Sequence, residues 1–300
     1  MTARLRVERA GPLCTIQDTG RPGLLTHGIS ASGPMDRGAF DRAGRRAGAA
    51  GAAGIEFTAA GIGLRVVDGR LAAGWDGARF EATVNGRALD WPGGAVLAAG
   101  DRLDILPGRR GNYGYLRFGA TLELPAVLGS RATSTRAGLG GLDGRSLRAG
   151  DELRLSGPEG TPEPVAPMAT EEGPIRFVWG LHAGLFSPTL REHFVSARFR
   201  VTAAMDRMGV RLADDAGVFA GESILSLVSD PVLPGDIQIL GDGTPIVLMR
   251  DHQPTGGYPR IGTIVSADID RFAQLRPASP VAFRPVTVEH AHRLLRSRPT

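Results

Sequence analysis

One short pattern recurs where a turn would feed a strand: Ala99-Gly100-Asp101-Arg102-Leu103, Ala149-Gly150-Asp151-Glu152-Leu153 and Pro234-Gly235-Asp236-Ile237. Glycine is the residue that enters left-handed turn conformations without steric cost, and the apolar residues that follow begin strand-like segments. With 43 glycines and 21 prolines in 300 residues, the chain is punctuated too often for long helices. Short strands joined by tight turns are expected, as in a barrel; a solenoid is not, because no fixed short period recurs.

The alternation of apolar and polar residues locates those strands. In 197–203, Phe199 and Val201 oppose Arg198 and Arg200; in 236–240, Ile237 and Ile239 flank Gln238, so both segments read as half-buried strands. Further strands are predicted at 103–106, 153–155, 175–179, 224–228 and 246–249. Helices are few. Ser187-Pro188 reads as an N-cap followed by the first helical position, Ser266 and Thr287 as further caps, and a glycine-weakened helix is expected from Met35. Four prolines between Gly157 and Gly173 mark a linker, which gives a domain over 1–157, a linker over 158–173 and a second domain over 174–300.

Composition removes whole classes of function. Every one of the 35 basic residues is arginine, so a Schiff-base lysine, a lysine base and a Walker-A loop are absent. A net charge of +4, scattered arginines and 6% aromatic residues argue against nucleic-acid binding. The least charged stretch, 47–64, is broken by Glu56 and by glycines, so no membrane span is expected. The first residues lack an apolar signal core, which makes the cytoplasm the expected compartment. A single cysteine, Cys14, forms no internal disulfide, and its use as a nucleophile would need a base such as His27.

The polar loops carry the candidate chemistry. Gly138–Gly144 resembles a dinucleotide loop, but a strand is expected after it where that motif requires a helix. An anion-holding nest of backbone amides, flanked by Arg131, Arg136 and Arg145, is the other reading of that loop. The densest cluster is 250–260, where Asp251, His252, Gln253, Thr255, Tyr258 and Arg260 follow an apolar strand. Asp18 with Arg21, Asp36 with Arg37, and Asp206 with Arg207 also read as solvated pairs.

Five segments, at 11–23, 32–36, 128–145, 206–212 and 253–261, together resemble the biotin-dependent carboxyltransferase family that includes the C-type component of 5-oxoprolinase, also called allophanate hydrolase subunit 2. The resemblance implies a mainly β fold of two cyclophilin-like β-barrel domains with a few short helices. It implies one component of an ATP-dependent 5-oxoprolinase, a hydrolase that opens 5-oxo-L-proline to L-glutamate. A B-type partner and an A-type hydrolase component would complete the hetero-oligomeric complex. Alternatives within the family are the carboxyltransferase component of a urea carboxylase and a regulatory binding module. ATP, with magnesium, is the implied cofactor, on this chain or a partner; a chain without lysine carries no covalent biotin.

By residue type, Asp18, Asp251, Gln253 and Tyr258 are the expected catalytic group. Gln17, Ser32, Arg136, Gly140, Gly141, Arg207, Thr255, Gly256 and Arg260 are the expected binders of a small amide substrate. Arginines would hold phosphate or carboxylate, amide and hydroxyl groups would orient the substrate, and no metal set is expected on this chain. The sequence departs from the family pattern at Cys14, at Pro254 and in the 43–49 run, which lacks two asparagines common in relatives.

Overall fold

The computed structural model describes residues 2–49, 53–157, 160–166, 171–220 and 227–297. They form two compact units, Met1–Gly23 with Ala31–Ala169, and Leu24–Ser30 with Thr170–Thr300. The fold is mainly β with four short α-helices among the described residues.

The first unit begins with β1 (Thr2–Ala10), β2 (Thr15–Gln17), α1 (Arg37–Ala47) and β3 (Gly54–Thr58). There follow β4 (Ile62–Val84), β5 (Arg87–Leu89), β6 (Gly93–Ala98), β7 (Arg102–Phe118), β8 (Thr121–Leu122) and β9 (Glu152–Ser156). Its nine-stranded sheet runs β2-β3-β7-β4-β1-β9-β8, with β5 and β6 added on β4. Strand β4 curls far enough that its two ends flank one stretch of β7: Leu64 and Val84 both pair with Leu103. Leu5, Ile16, Phe57, Val66, Trp75 and Phe118 fill the core with under 2% of their surface exposed, the largest favourable contribution to folding.

The second unit holds β10 (Ile175–Trp179), α2 (Pro188–Ser196), β11 (Arg198–Met205), β12 (Gly209–Ala213), β13 (Asp230–Pro231) and β14 (Asp236–Ile239). It ends with β15 (Pro245–Leu248), β16 (Thr255–Gly256), β17 (Arg260–Ile264), α3 (Ser266–Ala273), β18 (Pro280–Pro285) and α4 (Val288–Arg296). Seven strands close a barrel in the order β10-β17-β14-β15-β12-β11-β18. Phe177, Phe194, Phe199 and Phe283 pack together in this unit, Phe194 stacked on Phe283 at 5.1 Å and 15° and the other ring pairs edge-on or tilted.

The recurrent turn is one physical device used three times. Gly100, Gly150 and Gly235 take φ of 93°, 95° and 94°, the left-handed position of a type II turn. Each donates its N–H to a neighbouring strand, at Val66, Val7 and Leu248. Each following aspartate turns back to accept the amide three residues earlier: Asp101 from Ala98 at 2.8 Å, Asp151 from Arg148 at 2.9 Å, Asp236 from Leu233 at 2.9 Å. The Ala98 amide and the Asn85 side chain hold the Asp101 carboxyl below its ordinary value.

Three local expectations change. Ser187 and Thr287 do cap α2 and α4, accepting from Leu190 and His290, but Ser266 lies inside α3 and Val265 occupies the cap position without a side-chain bond. The alternation turns Gln238 toward solvent, yet it is 1% exposed, with Gly256 tight against its amide, which donates to the Tyr258 carbonyl at 3.3 Å. The strand expected at 224–228 falls mostly outside the described residues, and 227–228 are not in a strand. No helix among the described residues is long and apolar enough to cross a membrane.

Candidate functional site

In the first unit, the structure gathers Gln17, Asp18, Ser32, Gly140 and Gly141 around one loop junction. Asp18 Oδ1 accepts from Gly20 N at 2.9 Å and from the Ser130 hydroxyl at 2.6 Å, while Oδ2 accepts from Arg131 N at 2.6 Å. The Gln17 amide donates to Thr15 Oγ1 at 3.0 Å and to the Thr133 carbonyl at 3.1 Å, and accepts from Gly33 N at 3.0 Å. Arg21 donates to the carbonyls of Val127 and Ala132 and reaches the Ser32 hydroxyl. Asp18 and Arg21 are each committed to fastening segments 17–21 and 32–33 to segment 127–134, because buried backbone donors and acceptors must be satisfied.

The glycine loop is built the same way. Gly140 and Gly141 have φ of 69° and 54°, and a Cβ on Gly141 would come 2.0 Å from Thr133 Oγ1. The amides of Leu139, Gly141, Gly144 and Arg145 donate to the carbonyls of Ser134, Arg131, Gly140 and Leu142. Those four amides are thus engaged within the loop. Arg145 grips Asp151 with two bonds of 2.8 Å, Arg131 donates to the Leu124 carbonyl, and Arg136 lies exposed. Cys14 is wholly buried, and burial with Glu56 pushes its thiol pKa far up, away from a reactive thiolate. His27 is exposed.

Beside this junction lies a cavity of about 270 Å³ between segments 19–22 and 31–34 and the first turns of α1. Thr19, Pro22, Pro34, Arg37, Phe40 and Asp41 line it. Asp36, expected to pair with Arg37, caps α1 by accepting from Ala39 N at 2.9 Å. Phe40 is fixed as a wall, its ring under the Arg117 guanidinium at 4.0 Å and edge-on to Tyr115 at 5.7 Å. Arg117 is itself buried, donates to the carbonyls of Phe40 and Ala49, and has its pKa lowered by burial to about 10.

The second unit treats its candidates differently. Arg207 and Asp251 form a buried two-bond pair, Nε to Oδ2 at 2.8 Å and Nη2 to Oδ1 at 3.2 Å. Arg260 is held by Asp230, by Asp236 at 3.4 Å and by the Pro231 carbonyl at 3.0 Å. These charged groups anchor the segment between them. Asp206 caps its own turn through Met208 N and Gly209 N. Thr255 and Gly256 form β16, leaving Thr255 exposed and Tyr258 39% exposed.

His252 stands in the polar cluster of the sequence but outside the expected site residues, and it is buried, 2% exposed. Its Nδ1 lies 2.6 Å from the Gln253 carbonyl, which only accepts, so Nδ1 carries the proton and Nε2 keeps its lone pair. Burial holds its pKa below the ordinary histidine value, with the Gln253 carbonyl acting the other way. Ser30 clamps the same turn, its hydroxyl donating to the His252 carbonyl at 2.7 Å. Thus the structure brings together Asp251, His252, Gln253 and Arg207 in this unit, with Arg260 anchoring the far end of the segment. No three His, Cys, Asp or Glu side chains among the described residues gather to hold a metal ion.

Comparison with known proteins places this geometry in a family. The family described as carboxyltransferase domain, subdomain A and B, matches residues 27–285. The chain is 33% identical over 298 residues to the C-type component of 5-oxoprolinase from Escherichia coli, covering 96% of this chain and 93% of that protein. It is 30% identical to urea amidolyase of Lachancea kluyveri, of which it spans 17%. The crystal structure of the Kluyveromyces lactis urea carboxylase superposes with a TM-score of 0.89 at 26% identity, covering 98% of this chain and 28% of that one. The chain belongs to the family of carboxyltransferase domains, subdomains A and B.

Proposed function

We propose that this chain works as the C-type component of an ATP-dependent 5-oxoprolinase, opening 5-oxo-L-proline to L-glutamate together with a B-type partner and an A-type hydrolase component in the cytoplasm. The observation that carries this reading is the end-to-end match to the corresponding 5-oxoprolinase component, 96% of one chain against 93% of the other, where the urea enzymes are matched over a minor part of their length.

Opening a lactam requires an electrophilic carbonyl and groups that stabilise the charge developing on it. On this chain, Gln253, Thr255 and Tyr258 offer hydrogen bonds to the amide, and neutral His252 offers Nε2 to accept a proton. Arg207, Asp251 and Arg260 hold the segment in shape. Two cavities are at hand, one of about 270 Å³ at the start of α1 and one of about 400 Å³ lined by Trp179, Pro188 and Arg191.

A second reading, carboxyl transfer to urea, is favoured by the TM-score of 0.89 to a urea carboxylase. The complex co-purified with its partners separates the two. Glutamate formed from 5-oxoproline and ATP supports the first reading, and biotin-dependent carboxylation of urea with no glutamate overturns it.

A further inference from the structure

The cavity of about 400 Å³ in the second unit lies between the end of β10 and one face of α2, lined by Trp179, Pro188, Arg191, Glu192, Val195 and Ser196. Phe177 at 5.0 Å and Phe194 at 6.5 Å pack against the Trp179 ring, so the indole bordering the cavity is held in place. The Arg191 guanidinium stands over that ring, 5.8 Å from its centroid. Four described arginines, Arg46, Arg117, Arg191 and Arg271, have a buried guanidinium nitrogen without a hydrogen-bond partner. Arg46 still pairs with Asp76, Arg117 donates to the carbonyls of Phe40 and Ala49, and Arg271 donates to Gly173, Pro174 and Asp268. The Arg191 guanidinium has no hydrogen bond or ion pair to any described residue, and its exposed neighbour Glu192 does not pair with it. A fork-shaped donor with Nε already out of water is thus left without an acceptor at the cavity wall.

The chain beside the cavity is apolar and open to water. The connection from β10 to α2 exposes Leu181 by 82% and Leu185 by 64%, and Val228 alone among the described large apolar side chains is more exposed. Apolar surface rimmed by charge marks places where proteins meet, and pocketed tryptophan and arginine dominate the binding energy there. A small ligand would fill the cavity alone, whereas a polypeptide laid across it also covers the connection. Charge complementarity sets the chemistry of that polypeptide: a carboxylate for the Arg191 fork, an amine or guanidinium for Glu192, and an apolar side chain for Trp179 and Val195. We infer that this face of β10 and α2 docks a partner polypeptide of that chemistry, with Arg191 and Trp179 as its anchors. The choice of the B-type component as that partner rests on the proposed function.

The test is calorimetric titration of the B-type component into the full chain and into its Arg191→Glu and Leu181→Ser variants. Each variant is expected to bind about tenfold or more weakly, because one reverses the anchoring charge and the other removes an apolar contact. Arg284→Glu, at an exposed arginine of β18, is the control and is expected to bind as wild type. Leu181 is mostly exposed, so Leu181→Ser reads docking even where Arg191→Glu alters the thermal melt. Wild-type affinity in Leu181→Ser or in a folded Arg191→Glu, an equal loss in Arg284→Glu, or no complex with the wild-type chain overturns the inference. So does sedimentation of the chain alone as a dimer that Leu181→Ser dissolves, because the face then belongs to a second copy. Glutamate release separates this inference from the proposed function. A complex that releases glutamate and binds Leu181→Ser at wild-type affinity removes the docking face and leaves the function. A complex weakened by both variants that releases no glutamate does the reverse.

Discussion

The two units spend similar residues on opposite tasks. In the first, Gln17, Asp18 and Ser32 sit at the loop junction under 10% exposed, and the bonds of Asp18 to Gly20, Ser130 and Arg131 end on the loops it joins. In the second, Arg207, Asp251 and Arg260 do the fastening, and the segment between presents Thr255 and Tyr258 outward while His252 stays buried. A polar loop thus becomes a candidate for chemistry only where other residues have already satisfied its backbone. Residue type alone does not distinguish the two.

The contrast can be broken by mutation. Asp251→Ala removes the carboxylate that makes two bonds to buried Arg207 and is expected to cost about 3–5 kcal/mol in urea unfolding; the double change Arg207→Met with Asp251→Leu should cost clearly less. Asp18→Ala strands the Ser130 hydroxyl and two amides and should cost about 3 kcal/mol. A loss as small as that of a surface change would show that these bonds do not hold the junction. Gly141→Ala places a side chain at φ 54° against Thr133 and should lose roughly 2 kcal/mol.

His252 sharpens the comparison through pH. Its folded pKa lies below the ordinary 6.5, so below that pH the unfolded chain binds the proton more readily. Stability should fall as pH drops through 6.5 toward the folded pKa, and His252→Gln should flatten that slope in melts taken across the range. A variant with the wild-type slope would show that another group titrates. The smallest stability effects are expected at Gln253→Ala and Tyr258→Phe, within about 0.5 kcal/mol. Their glutamate release in the complex should nevertheless fall; if release is unchanged while stability drops, the segment is structural like the first unit's loops.

Much of the fold was legible because local rules governed it. The Gly-Asp turns, the Ser187 and Thr287 caps and the Phe199–Val201 alternation each depend on neighbours in sequence. Strand β4 was hidden: Gly69 and Gly77, at φ 80° and 122°, interrupt its alternation where it bends and shifts register. At the site, the loops were visible but not their roles. Thr19, Arg37, Phe40 and Asp41 meet only because α1 folds back on segments 19–22 and 31–34, which no spacing announces. His252 carried one usable signal, its place beside Gln253 at the end of an apolar strand.

The most direct test of the account is glutamate release from 5-oxo-L-proline and ATP by the partner components, assayed with and without this chain. Release that appears only with the chain present is the predicted result. A stable complex containing the chain that releases no glutamate, or partners that release it equally well without the chain, would contradict it.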